Sequence, residues 1–498
     1  MRRVAGGADA VVIIGAGLGG LSAALHLAAA GREVTVLERA AFPGGRVGVI
    51  SEAGYRFDTG PTVLTMPELI AETLGVVGES LEDWLDLRRL DPAYRARFAD
   101  GSTIEVHSDA DAMELSIRGR CGAREAAGYR RFVDHVSQLY RVEMPHFIAR
   151  NLDSPTQLIS RPMLDLLRLG ALRRLGPTVR SFFGDERLQR IFSFQAVYAG
   201  LAPAQALGIY AVIGYLDCVR GVYFPAGGMH TIPLALAGVA AKHGVQVRCD
   251  TEVTKIEVTG GRARAVITAH GERIAADAVV VNADAPTAYR ELLPPRLTPR
   301  RGLKHSPSCV VLHTGSRTEY EDSAHHTICF GHAWDATFRQ LIQRGETMTD
   351  PSFLITHPTV TDPALAPPGR QVYYVLFPAP NLAHREPIEW DRLGPWYREY
   401  MLTTVARYGH PGFADAIETT HLVTPADWAR LGCAAGTPFA AAHTFGQTGP
   451  FRLPTLDRHI ENLVFCGASV QPGVGVPMVL ISGRLAAQRI TGEPVSDD

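Results

Sequence analysis

The chain has 498 residues, 46% hydrophobic and 20% charged, with a formal net charge of -2. That length suggests about two to four structural units, and the composition excludes the basic excess of a nucleic-acid binder and the polarity of a disordered chain. Seven cysteines (Cys121, Cys218, Cys249, Cys309, Cys329, Cys433 and Cys466) stand singly with no C-x-x-C, which argues against a disulfide framework or a zinc site and suits a reducing, cytoplasmic setting.

Arg2 and Arg3 precede an apolar stretch as in an export signal. Cleavage there would remove the glycine turn that follows, so they are read as a disordered start. Val11–Ile14 has the length and β-branching of a buried parallel strand, and Leu18–Ala30 the apolar spacing of a helix packed on a sheet. Between them lies G-x-G-x-x-G. Gly15 permits the turn, Gly17 lets a pyrophosphate approach the backbone, and Gly20 lets helix pack on strand. A second strand, Glu33–Leu37, ends at Glu38, whose carboxylate can accept hydrogen bonds from ribose hydroxyls. The ligand expected from these residues is an adenine dinucleotide, and they do not separate NAD from FAD.

Gly44 and Gly45 before Arg46, and the FDTGP turn at Phe57–Pro61, bring more glycine backbone near Glu38. Pro67–Leu74 reads as a helix, and 81–106 as mixed strands and turns. From 110 to 220 the pattern turns helical. Within it, leucines 166, 169, 172 and 175 recur among Arg161, Arg168, Arg173, Arg174 and Arg180. Two readings stay open: a basic amphipathic helix in a headgroup layer, or a core-facing stripe with solvated arginines. Gly170 and Pro177 are expected to break it.

A glycine turn at Gly227 and Gly228 then opens a helix to His243, followed by strands Gln246–Cys249 and Val253–Val258; a further buried strand, Ala278–Val281, returns the chain to the first sheet. Cys309–Thr314, His326–Phe330 and Gln371–Phe377 read as strands of a second, β-rich unit. The chain closes with strand Leu463–Cys466, glycine turn Gly467–Gly475 and helix Val476–Ile490, a second set of N–H groups suited to the flavin end of a long dinucleotide. No stretch offers about 18 uninterrupted apolar residues for a spanning helix.

Together VVIIGAGLGG, Glu38, PGGR at Pro43–Arg46, FDTGPTVLT at Phe57–Thr65, GVYFPAGG at Gly221–Gly228, AHHTICFG at Ala324–Gly331 and PGVGVPMV at Pro472–Val479 resemble the bacterial phytoene desaturases, carotenoid dehydrogenases of the flavin amine-oxidase-like superfamily. The resemblance runs over nearly the whole chain. It implies an α/β fold with a Rossmann-like FAD-binding domain of glutathione-reductase and amine-oxidase type, assembled from 1–110, 222–290 and 455–498. A helical lid or membrane-facing region at 111–221 and a β-sheet substrate domain at 291–454 would complete it. It implies non-covalent FAD lined by Gly15, Gly17, Gly20, Glu38, Arg39, Gly45, Arg46, Gly60, Pro61, Thr62, Gly467, Ala468 and Val476, with Val253 a weaker carry-over beside the adenine. Many relatives carry Gly-Asp where this chain has Gly467 and Ala468, so a carboxylate contact there is not assumed.

The implied reaction is stepwise dehydrogenation of phytoene toward lycopene. Removing two hydrogens from a hydrocarbon needs a two-electron acceptor that side chains cannot supply, so flavin N5 takes the hydride and a proton leaves the adjacent carbon. The protein holds the polyene in a dry tunnel. With a single dinucleotide fingerprint, electrons are expected to leave to oxygen or a quinone, at a membrane surface to which the protein is peripherally attached. No catalytic base is assigned. Arg161 and Asp165 could form an i,i+4 pair at the tunnel mouth, or a plain surface bridge. His325, His326 and His332 lack a carboxylate at ligand spacing, so no metal is expected, and Cys466 reads as a packing residue. Alternatives are a later dehydrogenase acting on a hydroxylated or shorter polyene, a flavin-dependent carotenoid isomerase, and a non-catalytic prenyl-binding escort.

Overall fold

A computed structural model describes residues 1–297, 302–320 and 322–492. The parts of the expected segments 291–454 and 455–498 that fall at 298–301, 321 and 493–498 lie outside the described residues.

The β-branched run Ala10–Ile14 forms the centre of a five-stranded parallel sheet ordered Leu463–Phe465, Ala278–Val281, Ala10–Ile14, Glu33–Leu37, Gln246–Arg248. Ile13 stands opposite both Val280 and Val36, which fixes the register of the three inner strands. Alternation divides the faces. Val11 and Ile13 pack into a large core that includes the helices Leu18–Ala29, Thr231–Lys242 and Val476–Thr491, while Val12 and Ile14 pack toward Ile256 and Val266 of a three-stranded antiparallel sheet. The strands at both chain ends thus enter one layer.

The second sheet has seven strands, ordered Ile417–Val423, Ser308–Ser316, Gln371–Ala379, Phe353–Thr356, His326–Phe330, Tyr94–Phe98, Thr103–Val106. Every pairing is antiparallel except His326–Phe330 with Tyr94–Phe98. One face, carrying Tyr373, Val375 and Phe377, packs on Tyr397, Met401 and Val405 of the helix Trp390–Arg407. The other turns Tyr374 and Leu376 toward the cavity described below. Residues 1–110 were expected in the dinucleotide unit, yet the hairpin Tyr94–Val106 belongs to this second sheet. Its strands are short and half-buried, and nothing local says which sheet they join.

Between the sheets the chain is helical, with Ala110–Cys121 capped by Asp109 and Ala123–Glu143 packed through Tyr129 and Phe132 on Phe183 and Phe192. The leucine and arginine stretch is broken as predicted at Gly170, whose φ of 74° suits glycine. Pro177 does not break it. It lies in the first turn of the Leu175–Arg180 helix, where its missing N–H has no intrahelical partner to lose. Among the described residues no helix is long and apolar enough to cross a membrane.

Candidate functional site: a cavity between two glycine turns

The two glycine turns meet. A Cβ built on Gly19 would stand 3.3 Å from the Gly467 Cα, and one on Gly483 only 2.3 Å from the Gly19 carbonyl, so the first and last helices cross at backbone contact. Asn282, at the end of the Ala278–Val281 strand, lies between them. Its Nδ2 donates to the Gly15 carbonyl at 3.2 Å and its Oδ1 accepts from the Cys466 thiol at 3.4 Å. A side chain at Gly17 would meet Asn282 Nδ2 at 2.9 Å, and one at Gly467 would meet Asn282 Oδ1 at 2.9 Å.

From this junction a cavity of about 1070 Å³ runs between the two sheets and under the helical region. Gly15, Gly17, Glu38, Arg39, Gly45, Arg46, Gly60, Pro61, Thr62, Val253, Gly467, Ala468 and Val476 all line it. Gly20 does not. A Cβ there would fall 2.1 Å from the Gly15 carbonyl, so Gly20 is a packing position under the turn rather than part of the wall. Gly60 is equally constrained, its added Cβ falling 1.8 Å from the Arg46 carbonyl.

Glu38 is buried, and its carboxylate accepts from the Ala16 N–H at 2.8 Å and the Ala40 N–H at 3.0 Å. A carboxylate has about four acceptor positions, so capacity remains for a ribose hydroxyl. Arg39 donates to the Leu431 carbonyl, and Arg46 donates to the Pro438 carbonyl at 2.8 Å with its other nitrogen 4.0 Å from Asp284. These arginines therefore tie the loop that follows the Glu33–Leu37 strand to the 431–438 loop. The Thr62 hydroxyl accepts from the Thr356 hydroxyl at 3.1 Å.

Two residues beside the second turn escaped the sequence reading. Asp284 lines the cavity with its side chain 3% exposed, accepting from the Ser469 hydroxyl and, at 2.6 Å, from the Ala434 N–H. A carboxylate thus stands beside this turn although position 468 is alanine. Arg452 is buried and donates to the Ala468 carbonyl at 2.6 Å and the Val470 carbonyl at 2.9 Å. Burial lowers its pKa to about 10. Only "NADAP" hinted at Asp284, and nothing around Arg452 marked it.

The remainder of the cavity is apolar, walled by Leu166, Ile213, Phe330, Leu354 and Leu376 among others. Two carboxyls intrude. Glu143 is 1% exposed, its Oε1 has no hydrogen-bond partner, and burial pushes its pKa well above the carboxylate range. Asp217 is the other. Arg161 and Asp165 do not pair with each other and neither lines the cavity. Asp165 instead bridges its i,i+3 neighbour Arg168 at 2.8 Å on the surface, and Arg161 stands exposed at the helix start. His325 and His326 are buried, the first on the Thr361 hydroxyl at 2.7 Å and the second on the Thr62 carbonyl at 3.1 Å. Among the described residues no cluster of metal-ligating side chains occurs.

Residues that fit an adenine dinucleotide and a flavin thus surround one space. Glycine backbone is open on both sides, a carboxylate sits at the end of the second strand, and added Cβ atoms would obstruct Gly17 and Gly467. Residues 18–491 match the family model described as flavin containing amine oxidoreductase. The chain is 53% identical to a phytoene dehydrogenase of Streptomyces griseus over 100% of this chain and 98% of that one. It is 37% identical to a zeta-carotene-forming phytoene desaturase of Myxococcus xanthus over 96% and 93% of the two chains. A solved putrescine oxidase with putrescine bound shares the fold at 15% identity, with a TM-score of 0.62 over 99% of this chain and all of that one. The chain belongs to the flavin-containing amine oxidoreductase family and, within it, to the bacterial phytoene desaturases.

Proposed function

We propose that the protein is an FAD-dependent carotenoid desaturase that introduces double bonds stepwise into phytoene toward lycopene. The observation that carries this reading is the continuity of one cavity, polar and glycine-lined around Glu38 and Gly467, apolar from Leu166 to Leu376. When bound, FAD supplies the acceptor for the hydride. The chain's own residues do the rest. Gly15, Gly17 and Glu38 hold the adenylate half, Gly467, Ala468 and Val476 the flavin half, and the apolar wall orients the polyene and excludes water. In this reading FAD is held non-covalently, by the two glycine turns and the Glu38 carboxylate.

The polyene enters from a membrane. Met163, Leu166 and Leu172 line the cavity, while Ile159, Leu164, Leu167 and Leu172 are 87%, 54%, 47% and 44% exposed on the same short stretch beside Arg161, Arg168 and Arg173. An exposed apolar patch with a basic fringe at a hydrocarbon tunnel suits a peripheral, cytoplasmic-side attachment. Electrons then pass to oxygen or a membrane quinone. Incubating the FAD-loaded protein with phytoene in liposomes tests the reading: chromatography should show products lighter by successive pairs of hydrogens, and unchanged phytoene would overturn it.

A further inference from the structure

Desaturation needs a proton acceptor, and two carboxyls, Glu143 and Asp217, stand in the apolar part of the cavity. Asp217 lies in the wide π-type turn Leu216–Arg220, is 3% exposed and lines the cavity. Its hydrogen-bond partner among the described residues is the Tyr94 hydroxyl, which donates to Oδ2 at 3.1 Å. The Tyr94 ring lies 5.5 Å from the His326 ring, and His326 Nε2 lies 3.1 Å from the carbonyl of Thr62, in the segment that faces the cofactor space. The wall around Asp217 is aromatic. Phe194 stands 6.1 Å from Tyr94, 5.8 Å from Tyr198 and 6.1 Å from Phe330. Ring faces attract a cation, and a carboxylate beside them removes a proton from it.

We propose that Asp217 is the catalytic proton acceptor of the desaturation and Tyr94 its positioning residue, an inference that rests on the function proposed above. One C–H bond of the polyene leaves as hydride, with both electrons, to the flavin. The neighbouring C–H bond then breaks, its electron pair closing the new C=C and its proton adding to the Asp217 carboxylate. The neutral Asp217 returns that proton to solvent before the next turnover.

The electrostatics suit the task. Burial pushes the Asp217 pKa up to about 7 against the lowering effect of the Tyr94 hydroxyl, and a base poised near neutrality works best. The titratable groups facing it are Tyr94, Tyr198 and Cys218, each kept neutral by burial. Glu143 is the weaker candidate, because it has no donor to favour its ionised form.

The test compares wild type, Asp217→Asn and Tyr94→Phe as FAD-loaded proteins. The first readout is the binding of an azaphytoene whose protonated amine replaces the cationic carbon, and the second is the pH profile of phytoene desaturation. Asp217→Asn should keep its flavin, lose about 100-fold in kcat and bind the amine at least about tenfold more weakly. Tyr94→Phe should move the pH midpoint upward, since the hydrogen bond favouring the carboxylate is gone. An Asp217→Asn protein within about threefold of wild type in both readouts overturns the inference. Should that variant lose its flavin, Tyr94→Phe decides: an unmoved midpoint overturns it. A wild-type protein inactive on phytoene would overturn the proposed function and this inference with it, whereas an active wild type beside an unaffected variant overturns only the inference.

Discussion

Asn282 joins the two glycine turns, and a single amide there answers to groups of both. Asn282→Ala leaves the Gly15 carbonyl without that donor and opens a void between the turns, so it should cost about 1–3 kcal/mol of stability, read by denaturant titration, and lower the flavin content of the purified protein. Glu38→Ala removes the acceptor at the end of the second strand. A hydrogen bond to a charged group is worth about 1.5–3 kcal/mol, so equilibrium dialysis should show FAD held at least about tenfold more weakly. Gly17→Val places side-chain atoms against Asn282 and in the cavity, and its yellow colour should be lost altogether. A Gly17→Val protein with full flavin content would contradict the assignment of the first turn. The glycines and Glu38 were legible in the sequence because their spacing is local. Asn282, Asp284 and Arg452 were not, since each acts on backbone or side chains more than 15 positions away, or on a neighbour that only the folded turn brings near.

The stretch 158–183 shows what periodicity conveys and what it omits. Its breaks and basic fringe were readable, but the stripe drawn through leucines 166, 169, 172 and 175 mixes two faces. Leu166 and Leu175 are buried, while the exposed apolar set is Ile159, Leu164, Leu167 and Leu172. The Gly170 turn reorients the chain, so helical spacing does not carry across it. Leu164→Ser with Leu167→Ser should therefore lower sedimentation with anionic liposomes by at least about tenfold, each exposed leucine contributing on the order of 1 kcal/mol on partial insertion. Flavin content and melting temperature should stay near wild type. Unchanged sedimentation would remove this element from the membrane-contact account. Strand assignments at 11–14, 33–37 and 278–281 needed little adjustment because continuous β-branched runs have few other uses. The Tyr94–Val106 hairpin needed its partner His326–Phe330, more than 200 positions later, to reveal its sheet.

For the molecule as a whole, pH acts through buried histidines. Burial lowers the pKa of His26, His313, His326, His357 and His410 to about 4 each, below the ordinary 6.5. A depressed base binds fewer protons folded than unfolded, so its stabilisation is complete above pH 6.5 and is lost as pH falls toward 4. Asp58 and Asp217, raised to about 6 and about 7, and Glu143, raised well above its ordinary value, work in the opposite sense, but the histidines, whose pKa burial lowers at His325 and His443 as well, outnumber them. The melting temperature should fall steadily between pH 6.5 and 4, and a constant or rising value would contradict the burial of these rings.

On the function proposed above, a flavin gripped between the two turns meets a polyene in the adjoining apolar tunnel. Mixing the FAD-loaded protein with phytoene-bearing liposomes in the absence of oxygen tests it most directly. The yellow absorbance should bleach in step with the appearance of a product two hydrogens lighter, one per flavin. Flavin that stays yellow with phytoene present, or a product of unchanged mass, would contradict it.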